Sequence, residues 1–312
     1  MNIQQLEYIV AVDQFKNFSK AADHCYITQA TLSTMIKKLE DELNVVIFDR
    51  KNNPVLTTDE GKVIVAQAVK VLQETYYLKE IAKNNSNDIT GTIKIGIIPT
   101  IANSLLPIVL MPILKKFPDL MIEMSEITTH NIIKQLKEGS IDMGILATPL
   151  ETEEIEEEIL YYETLMVYGN FDKDTQYVIP EDIRKHKIWL LEEGNCLRNQ
   201  FINLCSLKKK EDMPINLKFD AHSFDTLLNM VDQLGGLTLI PELYYQSLSE
   251  QRKEKVIHFK SPIPVREVSI VFYRPFAKKS TIEAIAKEIK VLIQPKLSTG
   301  QYKNSELDIV KI

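Results

Sequence analysis

The 312-residue sequence predicts an α-rich N-terminal module, a long helix and a C-terminal α/β region. Residues 3–58 divide into short amphipathic helices joined by tight turns, and residues 59–83 form one uninterrupted helical pattern. From Thr92 onward, strand-like apolar runs alternate with helical patterns, which is typical of an α/β fold. A chain of this length predicts two or three domains.

Composition limits the classes of protein that fit. Hydrophobic residues make up 45% and charged residues 26% of the chain, as in an ordinary globular protein. The N-terminus lacks the pattern of a signal peptide, and no apolar run approaches the roughly 20 residues that span a bilayer. We therefore expect a cytoplasmic protein. The net charge of −6 argues mildly against nucleic-acid binding, so that function must rest on local pattern.

The third helical segment of the N-terminal module, about residues 29–42, has two different faces. Leu32, Ile36 and Leu39 gather on an apolar face, and Thr28 is placed to cap the helix. The opposite face carries small polar groups and lysines: Ala30, Ser33, Thr34, Lys37 and Lys38. Such a face suits a helix that enters a major groove, where short side chains reach bases and lysines meet phosphates. An ordinary solvated helix has the same pattern.

The long helical pattern, residues 59–83, is apolar over more than one side. Its apolar positions are Val63, Ile64, Val65, Ala68, Val69, Val71, Leu72, Tyr76, Leu78 and Ile81. A helix apolar over so wide an arc buries two faces. We expect one face to pack on the N-terminal module and the other on a second copy of the helix. The polar residues 83–88 predict a hinge.

The C-terminal region reads as strands and helices in alternation. The predicted strands are residues 93–98, 120–127, 141–146 and 268–273, and the predicted helices are 101–116, 129–138 and 280–296. This order predicts a mainly parallel sheet. A second α/β unit covers roughly 162–265, after which the last strand and helix return to the first unit.

Two of the three cysteines, Cys196 and Cys205, lie nine positions apart. A permanent disulfide is not expected in a cytoplasmic chain. A metal site needs more ligands at closer spacing, so we expect no metal and no cofactor. The pair is therefore either two passive core thiols or a thiol switch. We expect Cys25 to be a packing residue, since free cysteine is among the most buried residue types.

The N-terminal module resembles the LysR-type transcriptional regulators. The residues that carry the resemblance are Ala21-Ala22, Thr28-Gln29-Ala30-Thr31-Leu32-Ser33, Ile36-Lys37-Lys38-Leu39-Glu40-Asp41-Glu42-Leu43, Phe48-Asp49-Arg50, Leu56-Thr57 and Gly61. The resemblance implies a winged helix-turn-helix in residues 1–58, a dimerising linker helix and hinge in 59–89, and a sensor in 90–312. The sensor would consist of two lobes like those of periplasmic binding proteins, with lobe I at about 90–161 and 266–312 and lobe II at about 162–265.

The same resemblance assigns residues to DNA and partners to the chain. Gln29, Thr31, Ser33 and Thr34 would face bases or phosphates, and Lys37 and Arg50 would hold the DNA backbone. The implied partners are double-stranded promoter DNA, RNA polymerase and further copies of the chain, in a homodimer or homotetramer.

Within this family, the cysteine segment 190–200 resembles the hydrogen-peroxide-sensing members. Four shorter stretches add to the resemblance, at residues 21–25, 98–100, 126–130 and 273–275. The resemblance implies that Cys196 is the peroxide-reactive thiolate and Cys205 the resolving thiol. The residues placed beside them are Thr100 and Thr129, whose hydroxyls would position peroxide and water, Arg274, and Asn195 at a helix start.

Helix geometry gives the cysteine pair a consequence. If residues 195–206 form one helix, nine residues separate the two cysteines by roughly 13 Å along its axis. A disulfide requires Cα atoms within about 7 Å of each other. The helix must therefore unwind when Cys196 and Cys205 join, which would turn oxidation into a change of shape.

The chain departs from the peroxide-sensing pattern at several positions. Asn195 and Lys218 stand where those proteins have histidine, and Asn199 stands where they have aspartate, although His222 lies near Lys218 in sequence. These departures leave the direction of any change in peroxide sensitivity open. Two further hypotheses stand beside a peroxide switch. One is a regulator of this family that binds a small metabolite between the lobes and has passive cysteines. The other is a thiol enzyme such as a peroxidase, against which the winged helix argues.

Overall fold

A computed structural model describes residues 1–83, 89–150, 152, 154–171, 175–192, 194–207, 221, 223–273 and 278–311. The chain divides into two compact units. One consists mainly of Met1–Asn87, and the other of Asp88–Arg274 together with Lys279–Ile312. No helix of the described residues is long and apolar enough to cross a bilayer.

The N-terminal unit is built from three short helices, a two-stranded hairpin and a long helix. In chain order these are α1 (Ile3–Phe15), α2 (Phe18–His24), α3 (Gln29–Leu43), β1 (Phe48–Asp49), β2 (Leu56–Thr57) and α4 (Asp59–Lys83). Thr28 caps α3 as predicted, with its Oγ1 accepting the Thr31 N–H at 3.2 Å. Leu32, Ile36 and Leu39 are fully buried in the core of the unit. The apolar face of α3 thus anchors it, and its polar face points outward.

Helix α4 has the bounds that its periodicity predicts, Asp59–Lys83. Val65 and Ala68 pack into the core of the N-terminal unit. Val63 and Leu78 lie on another side of the helix and are 71% and 68% exposed. An apolar side of α4 is therefore left uncovered by the residues that the structure describes. The predicted hinge continues into residues 84–88, which lie outside the described residues.

The C-terminal unit alternates strands and helices, which confirms the predicted α/β class. Its first elements are β3 (Gly91–Ile97), α5 (Pro99–Lys116), β4 (Leu120–Glu126), α6 (Thr129–Lys137), β5 (Met143–Thr148) and β6 (Ile155–Gly169). Next come β7 (Tyr177–Val178), α7 (Pro180–Ile183), α8 (Cys196–Leu204), α9 (Phe224–Leu234), β8 (Leu237–Pro241), α10 (Glu242–Gln246), α11 (Glu250–Lys253) and β9 (Val256–Phe259). The last elements are β10 (Ile263–Tyr273), α12 (Lys279–Ile293) and β11 (Leu307–Ile309), with three short 3-10 segments (Gln294–Lys296, Ser298–Gln301 and Asn304–Glu306) between α12 and β11.

The sheet is mixed, so the prediction of a mainly parallel sheet was wrong. Strand β3 runs parallel to β4 and β5, but β10 is antiparallel to β5 and β6, and β6 is antiparallel to β8 and β9. The cause is a pair of long return strands. Strands β6 and β10 pair with each other from Ile155↔Tyr273 to Thr164↔Val265, and β6 then continues alongside β8. These two strands connect the halves of the unit, with strand order β4-β3-β5-β10-β6-β9-β7.

Helix α8 packs on an apolar core of the C-terminal unit. Leu197, Phe201 and Cys205 belong to one buried cluster with residues of α9 and β8. Trp189, the single tryptophan of the chain, is fully buried in the same cluster and donates its indole N–H to the Gly235 carbonyl at 2.8 Å. Trp189, Leu197 and Phe201 also line a small apolar cavity under the helix. Any rearrangement of α8 therefore changes the surroundings of this indole.

Candidate functional site

Two helices begin beside the reactive cysteine predicted from the sequence. Helix α8 begins at Cys196, and α6 begins at Thr129. The Thr129 Oγ1 lies 2.7 Å from the Cys196 Sγ, so the structure brings these two predicted residues into direct contact. Unpaired N–H groups give a helix start partial positive charge, which favours a thiolate.

Asn195 forms the helix start that the sequence predicts. Its Oδ1 accepts the Leu197 N–H at 3.1 Å, so the residue is the N-cap of α8. Gly194 precedes it with a φ of +87°, a conformation that glycine adopts without a Cβ clash. Asn195 therefore orients the turn that carries Cys196.

Arg266, which the sequence patterns did not indicate, lies at the centre of a buried polar network. Its Nε donates to Glu163 Oε1 at 2.9 Å, and its Nη1 and Nη2 donate to Thr100 Oγ1 and Thr100 O at 3.2 and 3.0 Å. Arg266 and Glu163 are both fully buried. Strand β10 was predicted to begin at Val268, so Arg266 fell outside it. A charged residue among apolar strand positions was the signal that could have found it.

Most of the basic groups that the sequence places near Cys196 are not described. Arg274, Lys218 and His222 lie outside the described residues. Arg198 donates from Nη1 to the Leu191 carbonyl at 2.8 Å. Among the residues that the structure describes, Arg266 on β10 supplies a positive charge that acts on Cys196.

Burial decides the protonation of Cys196 in this state. The side chain is 4% exposed, and loss of solvent raises the pKa of the thiol above its ordinary value. The Thr129 hydroxyl, the charge of Arg266 and the N–H of Cys196 itself lower the same pKa, but by less. Glu163 offsets part of the arginine charge because it is paired with it at 2.8 Å. The site thus holds a mainly protonated thiol among groups that would stabilise its anion.

Cys205 lies at the other end of the same helix. It is the C-cap of α8 and fully buried, and burial raises the pKa of its thiol to about 12. Both cysteines are free thiols. The predicted single helix between them is confirmed: it spans Cys196–Leu204 with Cys205 as its C-cap, so nine residue steps place the two Cα atoms roughly 13 Å apart along the helix axis.

We expect Thr129→Val to slow the reaction of Cys196 with peroxide. Valine keeps the shape of threonine but removes the hydroxyl that lowers the pKa of Cys196. Losing a hydrogen bond to a charged sulfur should cost about ten-fold in rate. Stopped-flow measurement of thiol loss would show this. Thr299→Val is the control, because it removes a hydroxyl that bonds the Tyr162 carbonyl instead. Equal rates for both variants would contradict the role of Thr129.

A second candidate site is the outer face of α3 in the N-terminal unit. Gln29, Thr31, Thr34 and Lys37 are exposed there, and Ser33 is half-buried. The Thr31 hydroxyl meets the Thr28 hydroxyl at 2.8 Å, and Thr34 Oγ1 donates to the Ala30 carbonyl at 2.8 Å. The long side chains of Gln29 and Lys37 are therefore best placed to reach outward.

Arg50 is held in place by its neighbours. Its Nη1 donates to Ser33 Oγ at 2.9 Å and its Nη2 to Glu40 Oε2 at 2.8 Å. Its guanidinium also lies over the Phe18 ring, 5.1 Å from the centroid. Glu40 Oε1 accepts the N–H groups of Ile47 and Phe48. Arg50 thus connects α3 to β1 while keeping part of its guanidinium exposed.

Comparison with known families identifies two domains in the chain. Residues 3–62 match the bacterial regulatory helix-turn-helix protein family of the lysR type, and residues 86–290 match the LysR substrate binding domain. The chain belongs to the LysR family of transcriptional regulators. Its DNA-binding segment is the N-terminal unit, and the thiol site lies within its substrate-binding domain.

Relatives of this LysR-type regulator are similar over nearly their whole length. The hydrogen peroxide-inducible genes activator of Haemophilus influenzae is 36% identical over 301 residues, which cover 94% of this chain and 99% of that protein. The DNA-binding transcriptional dual regulator OxyR of Escherichia coli K12 is 36% identical over 296 residues, covering 93% and 95%. A full-length OxyR variant from Pseudomonas aeruginosa has a similar structure, with a TM-score of 0.80, 29% identity and coverage of 94% and 95%.

For a LysR-type regulator with this α3 face, we expect Lys37→Met to weaken DNA binding evenly across sequences. A lysine that meets a phosphate releases a counterion, so its loss should lower the slope of log affinity against log salt by about one. Fluorescence anisotropy on a genomically selected duplex and on a scrambled duplex measures both. Lys62→Met, on α4 beside Asp59, is the control. An unchanged salt slope for Lys37→Met would contradict the assignment.

Proposed function

We propose that this regulator senses hydrogen peroxide through a reversible Cys196–Cys205 thiol–disulfide switch. The observation that carries the proposal is the placement of the two thiols at opposite ends of one short helix. Cys196 is beside the Thr129 hydroxyl and within reach of the Arg266 charge. The names of the relatives from Haemophilus influenzae and Escherichia coli support the stimulus and the DNA-binding role.

The chemistry proceeds in two steps. The Cys196 thiolate attacks one oxygen of hydrogen peroxide, the O–O bond breaks, and hydroxide leaves and becomes water on taking a proton. Sulfur is oxidised to sulfenic acid and peroxide is reduced. The Cys205 thiolate then attacks the Cys196 sulfur, the S–O bond breaks as the disulfide forms, and hydroxide leaves and becomes water on taking a proton. A dithiol reductant resets the switch by thiol–disulfide exchange, in which the reductant is oxidised to a disulfide and both protein cysteines return to thiols.

The second step requires α8 to unwind. In the reduced fold the thiols are separated by the whole helix, whereas a disulfide needs Cα atoms within about 7 Å. Leu197 and Phe201 leave their places in the core when the helix opens. Oxidation thereby alters the packing of the second half of the sensor, and this is the event that changes DNA binding.

The proposed partners follow from the N-terminal unit. The outer face of α3 binds promoter DNA, and the uncovered apolar face of α4 pairs with the same face of a second copy. Four chains in a homotetramer and contact with RNA polymerase complete the proposal, which places the protein in the cytoplasm beside the chromosome. The protein regulates and does not turn over a substrate.

Disulfide mapping by mass spectrometry tests the proposal. Reduced protein treated with one equivalent of peroxide should yield a Cys196–Cys205 link, with Cys25 left as a thiol. An unoxidised Cys196 thiol after this treatment would contradict the proposed peroxide switch. The metabolite hypothesis instead predicts normal control by Cys196→Ser and a rise in melting temperature with a small organic ligand. Repeated turnover of peroxide with a reductant would favour a thiol peroxidase.

A further inference from the structure

The C-terminal segment of the chain packs against the switch helix. Strand β11 (Leu307–Ile309) runs parallel to the first residues of β10, at positions 263–265. The next residue, Val310, is 5% exposed and lies in the same apolar core as Leu197 and Phe201 of α8. The polar composition of residues 298–312 does not predict this packing.

Val310 connects two parts of the thiol site through its main chain. Its N–H donates to the Val265 carbonyl at 2.9 Å, and its carbonyl accepts the side-chain amide of Gln200 at 2.9 Å. Val265 immediately precedes Arg266, and Gln200 lies one helical turn after Cys196. One tail residue therefore links the strand that carries the arginine to the helix that carries the reactive cysteine.

The contact with α8 continues one turn further along. Asn203 donates from Nδ2 to the Lys311 carbonyl at 3.3 Å. Gln200 is fully buried, and its Oε1 has no hydrogen-bond partner among the residues that the structure describes. Such an amide is less stable in a core than an aliphatic side chain of the same size. Packing alone therefore does not explain a glutamine here, whereas its bond to the tail does.

We propose that residues 307–311 are a latch that opposes disulfide closure. The latch rests on the proposed thiol switch. Cys196 and Cys205 meet only when α8 unwinds, and unwinding removes Gln200 and Asn203 from the tail carbonyls. The tail is held in the reduced protein and released in the oxidised protein. Its hydrogen bonds thus set how readily the sulfenic acid at Cys196 proceeds to a disulfide.

The first test uses the reduced full chain and needs no peroxide. Hydrogen–deuterium exchange of the amides at 307–311 is compared in the wild type, Gln200→Met and Gln246→Met. Gln246 is an exposed control whose amide also donates to a main-chain carbonyl, that of Lys296, away from α8. Gln200→Met should speed exchange at 307–311 by about five-fold, since one buried hydrogen bond is lost. Equal exchange in all three proteins would overturn the latch.

The second test follows closure. Fluorescence of Trp189 reports the rearrangement of α8 after peroxide, and Gln200→Met should close about five-fold faster than the wild type. Trapping of the sulfenic acid in a Cys205→Ser background should show an unchanged first step. Asn203→Ala, at an exposed position, should also speed disulfide closure, but by less. This variant replaces Gln200→Met in the test if Gln200→Met fails to fold.

The oxidised protein completes the test. Amides 307–311 should exchange faster after the Cys196–Cys205 disulfide forms than before. Equal protection in both states would overturn release of the tail, even with the switch intact. Absence of any Cys196–Cys205 disulfide would overturn both the proposed function and the role of the latch in disulfide closure. Hydrogen–deuterium exchange of the reduced protein would still decide whether Gln200 holds the tail.

Discussion

With Cys205 replaced by serine, we expect peroxide to oxidise Cys196 while the transcriptional response falls to its basal level. The groups around Cys196, namely Thr129 and Arg266, are untouched by the change, so the sulfenic acid still forms. The resolving thiol is absent, so no disulfide closes across α8 and the helix keeps its form. Trapping with a sulfenic-acid reagent, followed by intact mass measurement, should show one modified cysteine. A promoter reporter should show no induction.

Cys25→Ser is the control for this experiment. Cys25 belongs to the partly buried set that packs on the core of the N-terminal unit, and burial raises the pKa of its thiol. We expect this variant to respond to peroxide as the wild type does. Full induction in Cys205→Ser would contradict the switch, because oxidation at Cys196 would then act without any disulfide.

The pH dependence of disulfide formation reveals whether α8 opens before the two sulfurs join. In the folded helix, burial raises the pKa of Cys205 to about 12, so its thiol is protonated at neutral pH. If α8 opens before the sulfurs join, the exposed thiol regains an ordinary pKa of about 8.5. The closure rate should then rise with pH through about 8.5. A rise centred near 12 would mean that Cys205 reacts from its buried position.

Local patterns were sufficient to predict the helices of the N-terminal unit. The apolar spacing of Leu32, Ile36 and Leu39 and the capping residue Thr28 define α3 without any long-range contact. The start of α8 was likewise readable from Gly194 and Asn195. In these places the residues that define the start and the buried face of a helix lie within it or directly before it in sequence.

Features that depend on strand pairing were not predictable in the same way. The antiparallel return of β6 and β10 is set by partners about a hundred positions apart, so the mixed sheet was missed. Arg266 was missed for the same reason, because its role depends on hydrogen bonds to Glu163 and Thr100 rather than on its neighbours in sequence. The tail contact of Gln200 likewise joins residues 110 positions apart. Pattern within one segment carries no information about such pairs.

Arg266→Met is expected to be the most destabilising single change in the sensor. The guanidinium is fully buried and bonded to Glu163 and Thr100. Removing it leaves the Glu163 carboxylate buried with the Leu243 N–H at 3.1 Å and no cation beside it. Breaking a buried pair in this way costs about 3–5 kcal/mol. Urea unfolding followed by Trp189 fluorescence should show the loss as a lower midpoint.

The double variant Arg266→Met with Glu163→Gln separates stability from chemistry. Removing both charges avoids an unpaired carboxylate, so most of the lost stability should return. The reactivity of Cys196 should not return, because the charge that lowers its thiol pKa is still absent. We expect the double variant to unfold near the wild-type midpoint but to react with peroxide about ten-fold more slowly. A double variant that regains both properties would mean that Arg266 only holds the fold and does not act on the thiol.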